Sequence, residues 1–323
     1  MKNAYTTTPF PVEKIKQINV FKDEDTLLEI GQDSPDATPL KKVSDVYGDV
    51  YFPRAPEDRP YTFSSIVVSV DGKIAFEDDP QGPLVASQNL RDPDGGSSDF
   101  WVLNMLRSHA DGVIVGARTM QTEPTMTAEC FDEDLASQRV SHMKKKNRVP
   151  IHIIISFDGT DIPFGHYLFG MDAPVLIATS PAGRDYVMEN IPDKAVDLGS
   201  YSSCDEVSDQ AVSQFAEANH DDIYVLGTGS ESNSDAKTLL YFLRKARLTR
   251  LLIEAPSYMT HLISIGAMDE MFMNYSTVFV GGSIGFGTYQ SFGSTDHPHS
   301  DFLQINRHSK NFIFTRQKLV YDA

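Results

Sequence analysis

The chain has 323 residues, 41% of them hydrophobic, and its 28 Lys+Arg against 45 Asp+Glu leave a formal net charge of −17. That charge repels nucleic acid and anionic lipid, so neither is expected as a partner, and the run Lys144-Lys145-Lys146 reads as a solvated segment. The cysteines Cys130 and Cys204 form no disulfide scaffold, and no apolar run is long enough for a signal core or a membrane span; the expected setting is the cytoplasm.

In chain order, residues 1–57 stand apart. They carry Pro9, Pro11, Pro35, Pro39, Pro53 and Pro56 and the acidic patch Asp23-Glu24-Asp25. This composition reads as an arm packed on something larger, or as a partly disordered extension, before a domain over 58–323. From Tyr61 the pattern changes. Residues 61–70 (YTFSSIVVSV) are strand-like, and 97–109 read as a helix capped by serine. Residues 113–115, 150–156 (PIHIIIS) and 174–179 (PVLIAT) read as buried strands. An amphipathic helix is expected over 205–219, a strand over 222–227, a helix over 235–246 and a strand over 250–254. A helix over 258–265 and a long strand over 268–280 follow. The tail, 302–321, reads as a hairpin turning at 307–311. Strands alternating with helices argue for a largely parallel sheet covered on both faces.

In such sheets ligands bind where strands end, so the loops after buried strands are the places to search. Gly116-Ala117-Arg118-Thr119 follows the strand at 113–115. A glycine there lets a ligand approach the backbone, the following helix offers free N–H groups to an anion, and Arg118 adds a planar cation. Glu254 closes the apolar run Leu251-Leu252-Ile253, and a carboxylate at the end of a buried strand is costly unless paired or used. Asp71, in Val70-Asp71-Gly72, stands in a tight turn after the first strand and is a second acid-base candidate. Other signals are weaker. Gly227-Thr228-Gly229 lacks the third glycine of a dinucleotide fingerprint, since Ser232 stands there. Gly281-Gly282-Ser283-Ile284-Gly285 matches a nucleophile elbow but no helix start follows it. His297 and His299 have no third ligand at a convincing spacing, so no metal is expected.

Taken together, RPYTFSSIVVSVDGKIA, LRSHADGVIVGARTM followed by a proline, LLIE before a helix, and GAMDEMFMNYSTVFVGG resemble the pyrimidine reductase family of riboflavin biosynthesis. That family is the reductase half of a bifunctional deaminase–reductase. The resemblance covers residues 59–323, more loosely over 130–225. It implies an α/β fold similar to dihydrofolate reductase, a mixed, mostly parallel sheet with helices on both faces and a C-terminal antiparallel hairpin. It implies an NADPH-dependent reduction of a ribosylamino group, on a substrate left unspecified, by a homodimer. By resemblance, Gly116, Arg118, Thr119, Pro256, Ser257 and Tyr258 would meet the cofactor, and Arg107, Ser87 and Glu254 the substrate. The chain departs from the family where Ala255-Pro256 replaces Gly-Gly, and where an acidic stretch, Glu129 to Asp134, stands in place of an arginine. The zinc signature of nucleobase deaminases is absent from the sequence. A rival expectation is a reductase-like fold that has lost its cofactor and acts in binding or assembly.

Overall fold

The computed structural model describes residues 4–36, 38–192, 194–218 and 222–321. Its strands are β1 (Ile18–Lys22), β2 (Tyr61–Ser69), β3 (Gly112–Gly116), β4 (Ile151–Ile155), β5 (Val175–Thr179), β6 (Ala195–Tyr201), β7 (Ile223–Thr228), β8 (Arg250–Ile253), β9 (Glu270–Ser276), β10 (His299–Ser309) and β11 (Phe312–Val320). They form an 11-stranded sheet in the order β1-β10-β11-β9-β2-β8-β3-β4-β5-β7-β6. From β9 to β6 every pairing is parallel, whereas β1, β10, β11 and β9 pair antiparallel. The expected mixed, mostly parallel sheet with a C-terminal hairpin is what forms.

The helices are α1 (Val12–Ile15), α2 (Glu24–Asp33), α3 (Lys41–Val46), α4 (Leu84–Ser87), α5 (Pro93–His109), α6 (Ala117–Thr122), α7 (Glu133–Ser141), α8 (Pro181–Asn190), α9 (Asp209–Ala216), α10 (Ala236–Lys245) and α11 (Pro256–Ser264). Strand side chains alternate between two cores, as a period of two requires. Val113, Val115, Ile154 and Leu252 face a layer with α5, α7 and α8; Ile114, Ile153, Leu251 and Ile253 face one with α9, α10 and α11.

Several boundaries differ from expectation. Helix α5 starts at Pro93 because Asp92, not a serine, caps it by accepting from Gly95 N–H, and proline suits the first helical position. Gly96 in its first turn lets α4 close on it, since a Cβ there would stand 2.8 Å from the Ala86 carbonyl oxygen. Strand β9 stops at Ser276 rather than 280, because its β2 and β11 partners end opposite that residue. Helix α9 begins only after the cap Ser208, with a 3₁₀ turn at Cys204–Glu206 before it; Asn219, its expected end, lies outside the described residues. Helices α7 and α8 and strand β6 had no counterpart in the sequence reading.

The segment before residue 58 is built into the domain. Strand β1 pairs with β10 as the outermost strand, and Ile15, Leu40, Val43, Val46 and Phe52 join the core shared with α5. Phe52 is fully buried, stacks on Phe63 at 4.4 Å between centroids, and lies under the guanidiniums of Arg250 and Arg316 at 5.4 and 5.3 Å. Arg316 in turn makes a fully buried pair with Glu270 and donates to the Tyr51 carbonyl at 2.7 Å. Phe52→Ala should therefore cost about 3–5 kcal/mol, as for a core aromatic. Urea denaturation checks this; a loss below about 0.5 kcal/mol, as at an exposed site, would show the segment to be a loose appendage.

Candidate functional site

The sheet order places the chain's return from the β3–β7 half at β8, which lies between β2 and β3. The crevice outside the carboxyl ends of neighbouring β3 and β8 is thus the switch point of the sheet. Two loops meet there: a Cβ built on Gly116 would touch the Ala255 Cβ at 3.7 Å. That is an ordinary contact, so packing alone does not demand the glycine.

Glu254 follows Ile253 and takes the same face as Leu252, toward α5. On α5, Leu103, Leu106 and Ala110 mark an apolar stripe facing the sheet, and Arg107 falls inside it at helical spacing. The two charges meet. Arg107 Nε donates to Glu254 Oε1 at 2.8 Å and Nη2 to Oε2 at 2.7 Å, a bidentate pair whose side chains are 4% and 10% exposed. Nη1 donates to the Glu129 carbonyl at 2.9 Å. Burial works against the guanidinium's charge, but Glu254 outweighs it and raises the pKa of Arg107.

Glu123, at the end of α6, joins this pair, although the sequence reading did not single it out. It accepts from Gly82 N–H at 3.3 Å, which ties it to the loop before α4. Burial pushes its pKa up, the Glu254 carboxylate adds to this, and the Gly82 bond and Arg107 offset part of it. Two histidines lie behind. His152 is fully buried in β4, accepts from Ala128 N–H at 2.9 Å through Nε2, and leaves Nδ1 unpartnered. Burial, then Arg107 and His166, push its pKa down to about 3. His166 accepts from Leu168 N–H at 3.1 Å and donates to the Glu123 carbonyl at 2.9 Å. The sequence signal for His152 was a polar residue inside the run PIHIIIS; for Glu123 there was only a charge before Pro124.

The helices after the parallel strands divide into two kinds. Helices α8, α9 and α10 are capped by Ser180, Ser208 and Asp235, whose side chains accept from their first turns. Helices α6 and α11, which start at the crevice, have no side-chain cap. Their first turns accept no side-chain cap, and Pro256 at the start of α11 carries no N–H of its own.

The residues of the chain that match a family model, described as the RibD C-terminal domain, are 60–312. The chain belongs to that family. A 2,5-diamino-6-ribosylamino-4(3H)-pyrimidinone 5′-phosphate reductase from Archaeoglobus fulgidus is 24% identical over 69% of this chain and 83% of its own. A pyrimidine reductase-like protein from Corynebacterium diphtheriae has the same fold, with a TM-score of 0.55 and 18% identity over 86% of this chain and 98% of its own. A Thermotoga maritima bifunctional deaminase and 5-amino-6-(5-phosphoribosylamino)uracil reductase superposes with a TM-score of 0.51 at 16% identity, covering 80% of this chain and 56% of that one.

Within this family member the remaining candidates lie on separate elements. Arg118 is exposed in the first turn of α6 and Thr119 is half-buried beside it. Pro256 occupies the first position of α11 and Ser257 is exposed after it. The Tyr258 hydroxyl is buried without a hydrogen-bond partner, its ring packed on the α10–α11 core, so its backbone N–H is what faces the helix end. Ser87 is exposed at the end of α4. Asp71 holds a turn: its carboxylate accepts from Ser69 Oγ at 2.6 Å, Val280 N–H at 3.1 Å and Gly281 N–H at 2.7 Å, bonds that pull its pKa down to about 2. Ser283 donates to Glu77 at 2.8 Å and has no nucleophile geometry, while Gly229, at φ +91°, is a tight-turn residue whose Cβ would strike the Asn233 carbonyl. His297 and His299 lie 4.8 Å apart, and among the described residues no group of His, Cys, Asp and Glu gathers to hold a metal.

The raised pKa of Glu123 has a definite consequence. The folded chain holds this proton more tightly than the unfolded one, so the group's contribution to stability falls as pH rises from the unfolded carboxylate range through the raised value. Glu123→Gln removes that penalty. Thermal melts from pH 4.5 to 8 should show the variant gaining on the parent as pH rises; a constant or shrinking difference would place Glu123 in water.

Proposed function

We propose that the chain is an NADPH-dependent reductase of a pyrimidine bearing a ribosylamino group, working in riboflavin biosynthesis in the cytoplasm. The observation that carries this reading is the meeting of two uncapped helix starts with a buried guanidinium–carboxylate pair at the switch point of the sheet. Free N–H groups and positive helix ends suit the pyrophosphate of a dinucleotide. In this reading Gly116 and Thr119 line the cofactor side, Arg118 reads its 2′-phosphate, and α11 supplies the N–H groups of Ser257 and Tyr258. Pro256 supplies none, which weakens the grip relative to a glycine pair. Ser87 and the Arg107–Glu254 pair face the substrate. The bound nicotinamide would supply the hydride; the protein's part is to fix the geometry through the Arg107–Glu254 pair, exclude water and hold a proton on Glu123. Family membership favours this reading over a cofactor-free binding or assembly protein.

Arg118→Ala should weaken NADPH by about tenfold to a hundredfold, the worth of a charge-assisted hydrogen bond, and leave NADH nearly unchanged. Calorimetric titration with both nucleotides decides it. Equal loss for both removes Arg118 from this role, and no heat from the unaltered chain at millimolar NADPH ends the reductase reading.

We further propose that two chains pair. Ile18 and Val20 on β1, Phe302 on β10 and Ile313 on β11 are exposed apolar side chains on the antiparallel half of the sheet. Light scattering should give twice the 35.9 kDa of one chain; the single-chain mass would exclude it.

A further inference from the structure

We infer that Asp99 is a specificity-determining residue for the substrate: its carboxylate accepts from the N–H-bearing edge of a 2-aminopyrimidin-4-one ring and disfavours a uracil, which carries a carbonyl at the same edge; this rests on the reductase reading above. The sheet is not covered evenly. A strand inside a parallel sheet is ordinarily buried on both faces. Strand β2 lies between β8 and β9, yet Ser65 and Val67 are only half-buried. They share the face of Phe63, toward α5, whereas Ile66 and Val68 on the opposite face are buried. The uncovered floor is therefore on the α5 side, in the middle of the sheet.

Two polar pairs flank this floor. On the β8 side is Arg107–Glu254. On the β9 side is Asn274, in register with Val67 and 1% exposed, whose Nδ2 donates to Asp99 Oδ1 at 2.7 Å. Asp99, Leu103 and Arg107 stand at i, i+4 and i+8 on α5, so one side of that helix looks over the floor. Eight helical residues span about 12 Å, which leaves room for a six-membered ring and its substituents between the pairs. The atoms left over in the second pair are acceptors. A carboxylate must receive the N–H of Asn274, so the other amide atom is the oxygen, and it is buried with no hydrogen-bond partner. Asp99 Oδ2 likewise has no partner among the described residues. Burial pushes the Asp99 pKa up to about 7, with the Asn274 bond offsetting part of the rise. Above neutrality the carboxylate gains most from a ligand that brings donors. A 2-aminopyrimidin-4-one presents N3–H and its amino group side by side, a fit to a carboxylate. A uracil keeps N3–H but sets a carbonyl oxygen where the amino group was, and an acceptor against an acceptor leaves both unpaired.

The test is a calorimetric titration at pH 8 of the full chain, saturated with NADP⁺, with two probes that differ at that edge. They are the ribitylamino forms of the pyrimidinone 5′-phosphate and of the uracil 5′-phosphate named for the Archaeoglobus and Thermotoga relatives. The unaltered chain should bind the pyrimidinone about tenfold to a hundredfold more tightly, the worth of one charge-assisted hydrogen bond. Asp99→Asn keeps the shape and adds a donor, so it should bring the two affinities to near equality or reverse their order. Should that variant fail to fold, Asp99→Ser supplies the same comparison. Equal affinities in the unaltered chain, a preference for the uracil, no binding of either probe, or a ratio unchanged by the substitution overturns the inference; a merely structural Asp99 gives the last of these. Binding of NADPH without discrimination between the probes would sink this inference and leave the reductase reading intact.

Discussion

A guanidinium set in the apolar stripe of a long helix must be paired, and in this protein much of the site follows from that requirement. Arg107 faces the sheet between Leu106 and Ala110, where an uncompensated charge would cost several kcal/mol. Its partner has to come from the end of a strand, because strand interiors on that face carry Leu252, Val113 and Val115. Glu254 is the first residue of β8's continuation with the right parity. The pair therefore fixes α5, β8 and, through the Glu129 carbonyl, the loop after α6 with respect to one another. Such a pair contributes little net stability over apolar residues, but removing one member leaves a buried charge.

What the pair organises is a crevice with two unlike ends. Toward α6 and α11 it presents uncapped helix starts and the exposed Arg118, which favour anions. Toward α4 and α5 it presents Glu254 and Glu123 with a consumed arginine, which disfavour them.

The segment before residue 60 lies outside the matched family region, yet it completes the structure. It supplies the edge strand β1 and inserts Phe52 between two arginines and Phe63. Upstream, Thr8 N–H bonds the Phe131 carbonyl and Thr6 N–H bonds the Glu129 carboxylate, so this segment also clamps the loop that backs Arg107. Its many prolines are compatible with this role, since most of it packs by side chains and not by a hydrogen-bonded ladder.

The class of sheet and most of its strands, though not β6 or the end of β9, were legible in the sequence, because hydrophobic period and turn residues act over a few neighbouring positions. The sequence also exposed Glu254 and the Gly116–Thr119 turn, since a charge closing an apolar run and a glycine after one are local anomalies. It left open whether the segment before residue 58 packs on the domain or is partly disordered: its buried side chains are scattered among prolines and acids, and their partners, Phe63, Glu270 and Arg316, are distant in the chain. Nor could it show that Arg107 and Glu254, 147 positions apart, consume each other, or that Glu123 and His152 surround them. Those facts depend on which strand lies beside which, and the return of the chain to place β8 between β2 and β3 is settled only when the whole sheet is assembled.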